Sequence, residues 1–217
     1  MWGMKNKYIS IILAVVILGI IVTLMPKKQS ALPENAINPL ATYTNDEYGF
    51  EIQYPKELTP VFDFKSYYHL PDYWRSDIGP NSTGTAVVAI PVFRYDSNDS
   101  YPRYFDAEVR IGVSTSSQDL ADCLTPDEPG IPFASSSEII NGVNFDKFGI
   151  ESAGMMQYLK GFSYRIIHNG TCFAIEQLET GSAYRDDPPS AKDIPDTQLN
   201  AYFESLSNIV DTFKFTR

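Results

Sequence analysis

The sequence predicts an α+β domain, an antiparallel β-sheet packed by helices, preceded by a single N-terminal transmembrane helix. Three observations predict it. An uncharged apolar run occupies Tyr8–Met25, two Asn-Gly dipeptides (Asn141-Gly142 and Asn169-Gly170) each lie between β-prone runs, and an amphipathic stripe precedes the C-terminus.

As a helix the apolar run would be about 27 Å long, close to the roughly 30 Å hydrocarbon core of a bilayer. Lys5 and Lys7 precede it and Lys27 and Lys28 follow it. The run is longer than the core of a cleaved signal peptide, and Pro26-Lys27-Lys28 stands where a cleavage site would be. An uncleaved signal anchor is therefore expected over residues 1–28, spanning at about 8–25. The short N-terminal side and the long chain after the span place the bulk of the protein outside the cytoplasm. Residues 29–40, with Pro33 and Pro39 and no apolar period, read as a flexible tether. Residues 41–217 read as one extracytoplasmic domain.

All 27 acidic residues and 13 of the 17 basic ones follow Lys28, so that part carries a charge of −14. This excludes nucleic acid as a partner and favours cations or basic proteins. Cys123 and Cys172 lie 49 positions apart in the exported part, where a disulfide is expected. The absence of Cys-x-x-Cys leaves redox catalysis and a thiolate metal site unsupported.

Along the chain, Ala41–Thr44 and Tyr48–Tyr54 form an opening hairpin that Pro55 ends. Leu58–Phe64 is a further short strand, and Tyr67, Tyr68, His69, Tyr73 and Trp74 crowd a loop that offers a ligand or partner surface. Thr85–Arg94 is apolar on both faces, with Pro91 requiring an edge or a bulge. In Tyr104–Val113, Phe105, Ala107, Val109, Ile111 and Val113 predict a core face, and Asp106, Glu108 and Arg110 a solvated one. Ser116–Leu124 reads as a short helix capped by Ser117. The two Asn-Gly turns join Glu138–Ile140 to Val143–Phe148 and Met155–His168 to Thr171–Leu178. Thr180–Ile194 is an irregular insertion, after which Asp196 or Thr197 caps a helix with Leu199, Tyr202, Phe203, Leu206, Ile209 and Val210 on one face. Thr212–Phe215 leaves as a strand.

The opening Tyr48-Gly49-Phe50-Glu51-Ile52-Gln53-Tyr54-Pro55, the meander with Asn-Gly turns and the helix running into Thr212–Phe215 together resemble the PsbP-like family, as a bacterial membrane-anchored member. The likeness covers about Thr42–Phe215. It implies a PsbP/Mog1-like sandwich, with the antiparallel sheet between helices, and a non-enzymatic accessory role. Members in photosynthesis bind the oxygen-evolving photosystem, and others act as binding or assembly factors. No functional residue of those members maps onto this sequence.

The residues give no catalytic constellation and no cofactor or metal motif. A Ser-His-acid triad would have to use His69 or His168, and no Gly-x-Ser-x-Gly elbow is present. Asp96–Ser100 begins like a calcium loop, but Tyr101 stands where Gly is needed and Ala107 where the bidentate Glu belongs. Asn81, Asn98 and Asn169 head glycosylation acceptor triplets in turns.

The expected function is a membrane-anchored, extracytoplasmic, non-enzymatic binding or assembly module of the cell envelope, held by the lipid bilayer and partnered by an envelope protein. An envelope hydrolase working through Asp106, Glu108, Asp186 and Asp187 or a bound metal is the alternative. A structural pilin-like component is the third reading, although the anchor lacks the Glu and the Gly-Phe lead-in of pilins.

Overall fold

The computed structural model describes residues 39–62, 64, 70, 73–76, 82–95, 103, 105–126 and 136–217. All belong to one compact unit, Asn38–Arg217. The apolar run Tyr8–Met25 lies outside the described residues, and among those described no helix is long and apolar enough to cross a membrane.

In chain order the elements are β1 (Leu40–Asn45), β2 (Phe50–Pro55), β3 (Thr85–Phe93), β4 (Phe105–Ser114), α1 (Ser117–Asp122), β5 (Ser136–Ile140), β6 (Val143–Gly154), β7 (Gln157–His168), β8 (Thr171–Ser182), α2 (Asp196–Val210) and β9 (Lys214–Phe215). They make a small sheet in the order β1-β2-β9 and a large antiparallel sheet in the order β3-β4-β8-β7-β6-β5. Both Asn-Gly turns are present, with Asn141, Gly142, Asn169 and Gly170 all at positive φ. Pro91 lies on the edge strand β3, where the register shifts between Pro91 and Phe93, so it withdraws no ladder donor from a central strand.

One face of the large sheet builds the main core. Val109, Ile111 and Val113 of β4, Phe173 and Ile175 of β8 and Phe145 of β6 pack with Phe50 and Ile52 of β2, Leu206, Ile209 and Val210 of α2, and Phe213. The Phe50 and Phe213 rings stack with centroids 5.4 Å apart, fixing the small sheet to the end of α2. Each such apolar side chain contributes about 1.5–3 kcal/mol of burial, which is why the helix needs no strong cap. The residue before α2 is Pro195, with no side-chain cap bond, rather than an Asp196 or Thr197 cap. In α1 the cap is Ser116, one residue earlier than expected, and its hydroxyl accepts from the Asp119 N–H at 3.0 Å.

The opposite face of the large sheet departs from expectation. Every residue of β4 is buried, Asp106, Glu108 and Arg110 included. Among the described residues between β2 and β3, the crossing chain, Val61 bridges Ala89 beside the edge strand β3, while on this face Leu70 packs with Ile150, Leu159 and Leu178, and Trp74 packs with Cys123, Cys172 and Ala174. Charges beneath it are matched in place. Glu108 is held by Arg94 and Arg110, Phe64 lies over the Arg110 guanidinium, and Arg165 donates to Ser163 Oγ at 2.9 Å. Alternation of apolar and charged residues ordinarily marks a half-wet strand; here ion pairing allows it to run through a covered layer.

Glu176 of β8 anchors the crossing chain, accepting from the Ser76 N–H at 2.9 Å and the Ser76 hydroxyl at 2.8 Å. Burial pushes its carboxyl above the usual glutamate range, although the Ser76 donors and the charges of Arg165 and Arg110 pull it down. Below the ordinary glutamate pKa both folded and unfolded chains hold this proton. As pH rises from there through the raised folded value, the unfolded chain ionises first, so this group's contribution to stability falls. The unfolding free energy of the wild type minus that of Glu176→Gln should accordingly decline with rising pH across that window. A difference that grew with pH would contradict the assignment.

Candidate functional site

Tyr73 is exposed, whereas Trp74 is almost fully buried against the Cys123–Cys172 disulfide, its indole N–H donating to Ser82 Oγ at 2.5 Å. Trp74 is thus a packing residue rather than part of a ligand surface, because the chain carrying it is pressed onto β4. Tyr67, Tyr68 and His69 lie outside the described residues. Cys123 and Cys172 are bonded, as the sequence led us to expect.

The four carboxylates of the hydrolase reading do not meet in one cleft. Asp106 accepts from the Tyr95 N–H at 2.8 Å and Glu108 is clamped by two arginines, both beneath the crossing chain. Asp186 pairs with Arg103 at 3.1 Å in the loop after β8, and Asp187 precedes a cis proline there. None of the four lines the clefts described next.

A cleft of about 310 Å³ opens on the core face, between the first half of α2 and the β6-β7-β8 part of the sheet. Leu199, Asn200 and Phe203 line it from the helix, Gly149 and Glu151 from β6, and Lys160, Phe162 and Glu179 from the sheet floor. The strand period puts Gly149, Glu151, Lys160, Phe162 and Glu179 on one face, because Gly149 pairs with Phe162, Glu151 with Lys160, and Lys160 with Glu179. The missing side chain at Gly149 leaves open the space beside the Phe162 ring. Phe203 meets that ring edge to face at 6.2 Å, and the Lys147 ammonium stands 4.3 Å from its centroid.

At the cleft's inner end, buried Glu179 accepts the Tyr158 hydroxyl at 2.8 Å and pairs with Lys160 at 3.0 Å. Burial first, and then the neighbouring carboxylate, raise the Tyr158 pKa above the usual tyrosine range, so the phenol keeps its proton and remains a donor to Glu179. A second cleft of about 230 Å³ adjoins, sharing Lys160 and Leu199 and bounded by Tyr158, Tyr184 and Arg185. A third, of about 340 Å³, lies against the second half of α2 beside Tyr54 and Pro55. The first combines apolar walls with a few fixed polar groups, the lining typical of binding sites. Its chemistry is that of recognition: an aromatic and aliphatic wall, one amide and a carboxylate rim.

No family model matches this chain, and no curated protein matches it. Among solved structures it is similar to cyanobacterial PsbP (CyanoP) from Synechocystis sp. PCC 6803, at 10% identity and a TM-score of 0.41, with 86% of this chain and 98% of that one covered. It is likewise similar to LpqN, described as involved in cell envelope biogenesis of Mycobacterium tuberculosis, at 13% identity and a TM-score of 0.41, covering 82% of this chain and 91% of that one. The first of these is a member of the family that the Tyr48–Pro55 opening resembles. At these levels the likeness is one of outline, and no residue role passes from either protein to this one.

Proposed function

We propose that this chain is a non-enzymatic binding or assembly module of a cell envelope, anchored through Tyr8–Met25 with its domain outside the cytoplasm, and that it engages its partner at the cleft between α2 and β6–β8. The cleft carries this reading: its walls are apolar, it opens to solvent, and its polar groups are few, the Asn200 amide and the Glu151 carboxylate at the rim and the paired Lys160 and Glu179 within. The Cys123–Cys172 bond supports an oxidising compartment.

A photoreactive side chain at Asn200, exposed on the cleft rim, tests this in the full-length chain in its own membrane. One discrete adduct is expected, with none from the same group at exposed Gln118 on α1, and Phe203→Ser should reduce the adduct at least tenfold. Equal adducts at both positions, or none at either, would overturn the reading.

A further inference from the structure

Strand β6 is longer than the strand that covers its outer side. β5 pairs only with Val143–Lys147, from Ile140↔Val143 to Ser136↔Lys147, whereas β7 pairs with Asp146–Gly154. Over Phe148–Gly154, β6 therefore has β7 on one side and, among the described residues, no strand on the other. In an extended strand alternate residues send both N–H and C=O to the same side, so this run presents three or four residues' worth of main-chain donors and acceptors outward. Edges are ordinarily blunted by lysine, proline or a bulge, but Phe148-Gly149-Ile150-Glu151-Ser152-Ala153-Gly154 has a single charged residue and no proline. Glu151–Gly154 are exposed throughout.

Among the described residues this uncovered edge and the cleft are one feature. Gly149, Ile150 and Glu151 border the cleft from the strand while Leu199, Asn200 and Phe203 border it from α2, making a groove between a strand edge and a helix. We infer that this groove takes an extended peptide segment of a partner protein, added to the sheet as a further strand beside Phe148–Gly154. The inference rests on the cleft being the binding surface and names what it binds.

Register defines the peptide. Residues facing each other across strands share a sheet face, so the peptide residue opposite Gly149 points into the space between Phe162, Leu199 and Phe203 and must be apolar. The residue two positions along lies opposite Glu151. Lys160 is already engaged by Glu179 at 3.0 Å, and no ion pair to Glu151 is present among the described residues, so that position suits Lys or Arg. The intervening residue lies opposite Ile150, at the margin of the cluster with Leu70, Leu159 and Leu178. A charge of −14 over the residues after Lys28 favours such a basic, apolar strand over an acidic one. At the end of the edge, Met155 and Met156 turn at φ 47° and 65° and are 96% and 61% exposed, an adaptable apolar contact for the strand's end.

The test uses the full-length chain in detergent and a pool of blocked hexapeptides in which Lys alternates with Leu, Ile, Val, Phe or Met. Saturable binding of pool members is expected, with amide exchange slowed at least tenfold at alternate residues of Phe148–Gly154. Methylating alternate peptide nitrogens of the best binder should weaken it at least tenfold, because a methylated amide cannot donate to a strand edge. Glu151→Lys, at an exposed position, should weaken it about fivefold and leave the unfolding midpoint unchanged. Absence of binding across the pool would overturn the inference, as would slow exchange at those amides already in the free chain. Equal affinity of the methylated peptide would overturn strand addition while leaving the cleft, and the Asn200 adduct, standing. Loss of that adduct alone would instead strike the underlying reading.

Discussion

Replacing Gly112 by alanine should destabilise the domain by on the order of 3 kcal/mol, the upper part of the range for overpacking a filled interior. A Cβ at Gly112 would stand 1.9 Å from the carbonyl oxygen of Trp74, with the Trp74 carbonyl carbon at 2.7 Å. That obstacle is main chain, which cannot swing aside as a side-chain tip can. Either β4 bends or the crossing chain lifts. Lifting is expected, because β4 is fixed by ladders to β3 and β8 on both sides, whereas the crossing chain is held at Ser76, at the Val61 bridge and by packing. In a Trp2→Phe background, which leaves Trp74 as the sole indole, its emission should move toward that of a wet tryptophan. Gly154→Ala, where a Cβ meets nothing within 4 Å, serves as the control and should change stability by no more than about 0.5 kcal/mol. An unshifted emission with full stability in Gly112→Ala would mean that the chain does not press on β4 as described.

How much of this was legible in the sequence depended on how far apart the interacting residues lie. The Asn141-Gly142 and Asn169-Gly170 turns were, because positive φ is a local demand that those residues meet. The turn between β6 and β7 was not: Met155 and Met156 occupy the same backbone region without being turn residues themselves, so the pattern gives a strand to Phe148 where β6 runs to Gly154. Asp106, Glu108 and Arg110 read as a solvated row because nothing near them in sequence shows that Phe64, Arg94 and the crossing chain cover them. The cleft was hidden for a related reason. Leu199 and Phe203 form one helical stripe in the sequence, but the space beneath them exists because Gly149, some fifty residues earlier by the numbering, brings no side chain to that face.

Removing the disulfide, as Cys123→Ala with Cys172→Ala, should lower the unfolding free energy by about 4 kcal/mol, the chain-entropy value for a loop of this length. The closed loop spans 49 positions, so the unfolded chain regains considerable freedom when the bond is absent. Against a typical domain stability of roughly 5–15 kcal/mol the loss is large. A local effect should add to it. The bond ties α1 to β8, and the Cys123 carbonyl accepts from Arg75 Nη1 at 3.5 Å, so the same clip steadies the chain that crosses the sheet. Both sulfurs are fully buried, and thiol-disulfide exchange needs an attacking thiolate to reach one of them. Reductant should therefore leave the native fold nearly untouched in buffer yet shift the midpoint in urea by as much as the double substitution does. Urea titrations of the oxidised, reduced and doubly substituted full-length chain decide the matter. A shift below about 1 kcal/mol would mean that the bonds of Asp119 to Ser114 and Ser82, with the packing against Trp74, hold α1 in place without the disulfide. Rapid reduction without urea would mean that α1 opens readily from the sheet, and with it the cover over Arg110 and Glu176.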